Sequence, residues 1–354
     1  MNKNLYILTL EPLEQRYTKQ WHKYFKKEFS KSFNVKYIDG IIGSDKIKKG
    51  KFLDINKTNI WKAEQVIKIA NLFNENKIKK GDIFFIADGW HYGITALKYM
   101  SQLNDIPIKI FAYWHAATWD DNDFITQAGL RSWAPLNEAG WLCACDGHFV
   151  ATQYHKDMIV DYFNENEMFD GEIKLYMKDL SKKIHVVGFP MDWEKEINGL
   201  ISKKKVEKED IVVFPHRLDK EKCPEVFDEL ASLMPEYKFI KTLEVTKNKK
   251  EYYELLKKAK IIFSASAQET FGIGTVEAMC LGALPVVTNK LSYLELYNGC
   301  FRYTDIDDAK RLIHFFMKNY DNKKLQQKAR INIKHIKEDS LDSINKMAKV
   351  ILNE

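Results

Sequence analysis

Cysteine is sparse in this chain, and nowhere does it fall in a pattern that staples a fold. Five thiols, Cys143, Cys145, Cys223, Cys280 and Cys300, are spread over 354 residues. The count is odd, and Cys143-Ala-Cys145 has the wrong spacing for a zinc ribbon, so in its apolar run it reads as packing. A disulfide framework and a structural metal are not expected, and reduced thiols point to a cytoplasmic setting. Long apolar runs are missing too. No stretch approaches the ~20 residues needed to cross a bilayer, so no transmembrane segment is expected. The opening MNKNLYILTLEPLEQRY has only a short apolar run before Glu11, too brief for a secretory signal. Low-complexity tracts are limited to lysine runs such as DKIKKGK and KNKKEYYELLKKAK, which read as solvated helix faces.

What the chain does have is enough apolar material for two cores: 45% hydrophobic and 13% aromatic residues, over a length that suits two domains. The net charge of +6, from 55 basic and 49 acidic residues, allows a weak attraction to nucleic acid or an anionic membrane surface. Short apolar runs alternate with amphipathic stretches, the rhythm of an α/β fold with mostly parallel sheets. Strands are predicted at 5–10, 35–38, 83–87, 108–113, 148–151 and 184–187. After a polar stretch near 193–208 without a clear strand, more follow at 211–215, 238–242, 261–264 and 284–288. We expect one Rossmann-like domain at 1–195 and a second at 205–337. A terminal helix, 338–354, with Ile344, Met347, Ile351 and Leu352 on one face, is suited to pack back on the first. Ligands of such sheets bind at strand carboxyl ends, where strand order reverses.

The segment QETFGIGTVEAMCLGALPVV (268–287) resembles a dinucleotide turn, but Glu277 stands where the third glycine belongs. A helix beginning near Thr275 offers unpaired backbone N–H groups to a phosphate, and Gly272 and Gly274 leave the approach open. Glu277 in the first turn is placed to accept from a ribose diol, and Glu269 from hydroxyls beyond the phosphates. Phosphates, ribose and a further polyol describe a nucleotide sugar. The plainer alternative makes Glu277 a helix-dipole carboxylate and Glu269 a solvated loop residue. Upstream, VVFPHRLDKEKCPEVFDEL places Arg217 and Lys222 just after a strand, as a diphosphate clamp or as surface charges paired with Asp219 and Glu221.

These two segments together resemble the nucleotide-sugar half of retaining GT-B glycosyltransferases, the large family marked by two glutamates around a glycine turn. Arg217, Leu218, Lys222, Glu269 and Glu277 stand at the matching spacings, while His216 and Cys223 replace glycines. The resemblance, over roughly 205–300, implies a GT-B fold of two Rossmann-like domains facing each other across a cleft. It implies transfer with retention and without a metal or other cofactor, from a UDP- or GDP-sugar co-substrate. Arg217 and Lys222 then hold the diphosphate, and Glu277 holds the ribose. Glu269, with the backbone of Phe271, Gly272, Ile273, Gly274 and Thr275, holds the donor sugar. A histidine at the strand end, His115, has counterparts in the family near the reacting sugar and is the catalytic candidate of the first domain. In ADGWHYG, Asp88, Trp90 and His91 are candidate acceptor contacts, with a capped, packed turn as the alternative. Asp121-Asn122-Asp123 has the form of a metal-binding D-x-D but reads as a loop or cap.

The acceptor stays open. FPHR, a following lysine and proline, and SYLELY are more loosely similar to glycosyltransferases that modify nucleobases in phage DNA or queuosine tRNA. A pI of 8.7 and five tryptophans of the first domain, Trp90, Trp114, Trp119, Trp133 and Trp141, fit a nucleic-acid acceptor whose base is flipped into an aromatic pocket. A cell-envelope glycan, lipid or small molecule is the other class. For a lipid, HKYFKKEFSKSF (22–33) offers a basic amphipathic face for peripheral membrane contact. A non-catalytic nucleotide-sugar-binding protein is the reading from a different class.

Overall fold

Runs such as Ile83–Ile86 (IFFI) and Leu284–Thr288 are apolar without alternation, because a parallel sheet is covered on both faces. The computed structural model describes residues 3–13, 16–41, 54–169, 171, 177 and 179–354; the lysine run at 45–51 lies outside them. The chain divides into two compact units, Met1–Pro190 with Asp342–Glu354, and Met191–Leu341.

In the first unit, β1 (Asn4–Leu8), β2 (Asn34–Ile38), β3 (Ile83–Ile86), β4 (Lys109–Tyr113), β5 (Gly147–Val150) and β6 (Ile184–Val186) form one sheet in the order β2-β1-β3-β4-β5-β6. Every pairing is parallel. The order reverses between β1 and β3, so their carboxyl ends, followed by Thr9 and by Ala87-Asp88, flank the natural crevice. One face of the sheet is covered by the helix Thr18–Phe29, whose Trp21, Phe25 and Phe29 are buried. Its apolar side is thus spent on the core, and only Lys19, Lys23, Lys26 and Lys27 point outward. The other face packs Tyr6, Phe84, Ile110, Trp114, Trp119 and Trp141.

The second unit has β7 (Glu209–Phe214), β8 (Lys238–Lys241), β9 (Ala259–Ser264), β10 (Leu284–Thr288) and β11 (Arg302–Tyr303), ordered β11-β10-β9-β7-β8 and again parallel. Here the reversal lies between β7 and β9. The polar stretch without a clear strand begins with a helix, Trp193–Leu200, capped by the Asp192 carboxylate on the Lys195 N–H at 3.0 Å. Its Trp193 and Ile197 are buried, two anchors that a window dominated by lysine conceals.

The last helix, Lys323–Asn353, runs 31 residues, and its final segment from Asp342 belongs to the first unit. There Ile344, Met347 and Ile351 are buried, and the Ser343 hydroxyl donates to the Gly188 carbonyl at 3.3 Å. Leu352, expected on that face, is 46% exposed instead, because it falls one residue past the stripe. Among the described residues no helix is long and apolar enough to cross a membrane.

Candidate active site

The donor motif assembles where β7 and β9 end. The β9 strand stops at Ser264, and after the loop Gly272 caps the helix Ile273–Cys280 in a left-handed conformation, φ 85°. That backbone favours glycine, and a Cβ there would meet the Tyr293 ring at 3.0 Å. Gly274 serves a different end. A Cβ on it would lie 3.1 Å from both Pro215 Cβ and Cγ, so its small size lets the helix press against the end of β7. The N–H groups of Ile273 and Gly274 have no acceptor one turn back within the helix. Thr275 is buried, and Phe271 is buried with its ring stacked on Trp193, centroids 6.2 Å apart.

Lys222 is only 7% exposed. Its ammonium donates to the Gln268 carbonyl at 2.5 Å, to Gln268 Oε1 at 3.1 Å and to Glu269 Oε2 at 3.3 Å. The other Glu269 oxygen accepts from the Gly272 N–H at 2.9 Å. Burial works against the charge on Glu269, but Lys222, with the Gly272 N–H, outweighs it and holds the carboxyl below its usual range. Glu269 is therefore a built-in, paired carboxylate and not a solvated loop residue. Arg217 takes the alternative weighed for it: its guanidinium bonds Asp219, and Glu221 at 2.9 Å.

The two departures from the family pattern have distinct outcomes. Cys223 adopts φ 50°, ψ 56°, keeping a glycine-type backbone without a glycine, just ahead of Pro224 at the start of the helix Pro224–Leu233. His216 is buried edge-on to Phe214, centroids 5.1 Å apart, and its Nε2 has no hydrogen-bond partner. Burial first, then the neighbouring Lys222, pushes its pKa down to about 3, so it is neutral at physiological pH.

Glu277 corrects an expectation. The helix starts at Ile273, earlier than predicted, so Glu277 lies in the second turn and is 3% exposed. Its Oε1 accepts from Lys249 Nζ at 2.6 Å and from the Tyr253 hydroxyl at 2.9 Å; its Oε2 accepts from the Tyr252 hydroxyl at 2.9 Å. All three partners come from the helix Lys249–Lys258, part of the lysine run taken as solvated. Lys249 also sits over the rings of Tyr252 and Tyr253, at 5.0 and 4.9 Å. The spacing of Lys249, Tyr252 and Tyr253 on one helical face was the available signal. Counting charges alone hid it.

In the first unit the candidates cluster near the ends of β3 and β4. His115 has both ring nitrogens engaged, Nε2 donating to the Ala87 carbonyl at 3.2 Å and Nδ1 facing the Tyr17 hydroxyl at 3.4 Å. Trp21 and Tyr113 rings lie beside it, and burial lowers its pKa. Asp88 accepts from the Trp90 N–H at 3.2 Å and pairs with the buried Lys62 at 3.5 Å. The Trp90 indole donates to buried Glu138 at 2.9 Å, and burial raises the Glu138 pKa. His91 is not presented at the strand end as expected. It is buried, its Nδ1 accepting from the Gly93 N–H at 2.9 Å at the start of the helix Gly93–Leu103 and its Nε2 bonding Gln65 Oε1 at 3.0 Å. Lys62, Gln65 and Glu138 carried no motif and were missed. Asp123 caps the short helix Phe124–Gln127, and Asp121 pairs with Arg131. Of the five tryptophans, Trp114, Trp119 and Trp141 are core, Trp90 is partly buried and Trp133 is 45% exposed, so most of that aromatic content stabilises the fold.

Residues 224–335 match the family model described as glycosyl transferases group 1. The chain is similar in structure to sucrose-phosphate synthase from Thermosynechococcus elongatus, at 11% identity, TM-score 0.63, covering 100% of both chains. It is similar to an α,α-trehalose-phosphate synthase (UDP-forming) from Burkholderia vietnamiensis, at 9% identity, TM-score 0.64 and 100% of both chains. A third similar structure is an alpha-glucosyltransferase in complex with UDP and a 13-mer DNA containing an HMU base, at 13% identity and TM-score 0.61, covering 99% of this chain and 100% of that one. No curated protein matches the sequence. The matched domain marks the chain as a glycosyltransferase, and the fold is of the GT-B type. The group 1 match begins two residues after Lys222 and spans both Glu269 and Glu277.

Proposed function

We propose that this glycosyltransferase retains anomeric configuration, works without a metal, and transfers its sugar to a hydroxyl on a modified nucleobase. The observation that carries the donor half is the meeting of Lys222, Glu269 and the Ile273–Gly274 N–H groups at the ends of β7 and β9. The bond from the anomeric carbon to the diphosphate oxygen breaks, and the diphosphate leaves with the electron pair. The acceptor oxygen bonds the anomeric carbon from the face the diphosphate leaves, and its proton passes to the departing diphosphate oxygen. Charge builds on the diphosphate, where Lys222 and the helix-start N–H groups stabilise it; comparable preorganised donors are worth ~10²–10³ in rate each. Lys222 has three N–H bonds and all are placed, so binding a phosphate exchanges one of them. Arg217 gives the diphosphate a second cation when it leaves Asp219 or Glu221. Glu269 holds donor-sugar hydroxyls, and Glu277 the ribose.

On the acceptor side we assign contacts to Asp88 and Trp90, and a catalytic role to His115. The nucleobase reading is supported by the alpha-glucosyltransferase complex, which holds UDP and DNA with an HMU base, and by the net charge of +6. The test is a panel of UDP-, GDP- and ADP-sugars with and without chelator, hydroxymethylated duplex DNA being one acceptor. Sugar on the DNA, with chelator present, is the expected result. Donor hydrolysis without transfer to DNA overturns the nucleobase acceptor and leaves glycans, lipids or small molecules. Consumption of no donor overturns catalysis in favour of a binding protein.

A further inference from the structure

A carboxylate offers about four lone-pair positions, two on each oxygen. On Glu277 three are taken: Lys249 and Tyr253 fill Oε1, and Tyr252 fills one side of Oε2. All three donors come from one helix turn, and Glu277 and Tyr253 are buried, so the arrangement is built in and does not come from loose surface pairing. Burial, followed by the Glu277 carboxylate itself, raises both tyrosine pKa values, which keeps the phenols protonated and donating. Having spent its one proton on Glu277, the Tyr252 hydroxyl can only accept from anything that approaches.

We propose that Lys249, Tyr252 and Tyr253 are positioning residues that leave Glu277 a single acceptor position, so that it takes one hydroxyl of the donor's ribose and not the diol. This rests on the nucleotide-sugar reading of the site. The two ribose hydroxyls then contribute unequally: one meets a charged acceptor, worth about tenfold or more in affinity, and the other meets at most the neutral Tyr252 oxygen.

The test is calorimetric binding of UDP, GDP and ADP, and of their 2′-deoxy and 3′-deoxy forms, to the full-length protein and to Y252F. Tyr252 is only partly buried, so Y252F removes one oxygen without opening the core. For the nucleotide that binds wild type, one deoxy form is expected to bind about tenfold more weakly and the other within about twofold. In Y252F the freed position on Oε2 lets the second hydroxyl count, so the formerly tolerated analogue becomes about fivefold weaker than its parent. Equal losses for both deoxy forms in wild type, no loss for either, or an unchanged pattern in Y252F overturn the proposal. Failure of all three parent nucleotides to bind overturns the donor reading beneath it.

Discussion

Replacing Lys222 with methionine keeps most of its volume and removes its charge together with its bonds to Gln268, so comparison with K222M/E269Q is what singles out the ion pair with Glu269. The two side chains are 9% and 16% exposed. Breaking a buried pair by removing one partner costs about 3–5 kcal/mol; Glu269 retains the Gly272 N–H, so the lower end, ~3 kcal/mol, is expected. The sign of the pH dependence is the sharper readout. In wild type the folded pKa of Glu269 is depressed, so its contribution is present above its unfolded value and is lost as pH falls through the folded value. In K222M the burial that Lys222 had outweighed dominates, and the folded pKa rises above the unfolded one. Stability from this group is then greatest at acid pH and declines as pH rises toward neutral. Urea midpoints from pH 4 to 7 for wild type, K222M and K222M/E269Q report this. The double variant is expected to recover most of the loss, because the uncompensated charge is gone. A K222M curve parallel to wild type, or no recovery in the double variant, would refute the pairing argument and with it the donor geometry built on it.

Three other outcomes follow from contacts elsewhere. His91→Ala is expected to lower stability by about 3 kcal/mol, through lost bonds to Gln65 and the Gly93 N–H plus a cavity; nucleoside diphosphate affinity by calorimetry stays unchanged, since the donor residues lie in the other unit. Cys223→Val places a branched side chain at φ 50° and should lose about 1–2 kcal/mol in urea denaturation, whereas Cys223→Gly stays within about 0.5 kcal/mol. Lys208 donates to the Ala259 and Leu281 carbonyls, both at 2.8 Å, and burial, then Lys257, brings its pKa down to about 7. The unfolded chain binds the extra proton between there and the ordinary lysine range, so this residue makes stability rise with pH above 7. Lys208→Met should flatten that rise in urea midpoints measured at pH 7 and pH 9.

The central strands were legible because a parallel sheet covered on both faces demands unbroken apolar runs, and all ten predicted strands sit within two residues of the observed ones. The two-residue β11 is too short to leave such a run. The donor turn was legible for a related reason: Gly272 and Gly274 answer to backbone constraints, which restrict residue type at fixed spacing. Side-chain partnerships are not restricted in that way. Nothing in the spacing of Glu269 and Glu277 distinguishes a carboxylate paired with one lysine from one enclosed by a lysine and two tyrosines. Lys249 was hidden among exposed lysines because its neighbours in sequence are not its neighbours in space. His91 was read as functional for the converse reason, since a helix start recruits polar side chains as readily as a ligand site does.

The terminal helix bears on how the protein is made. The segment Asp342–Glu354 completes the first unit, yet it leaves the ribosome only after the whole second unit, Met191–Leu341. Until it does, the surface that will cover Met347 and Ile351 stays open to water, and the Gly188 carbonyl lacks Ser343. Synthesis of the whole second unit therefore precedes completion of the first, and a chain that stops at Leu341 carries an unfinished domain at its beginning rather than at its end.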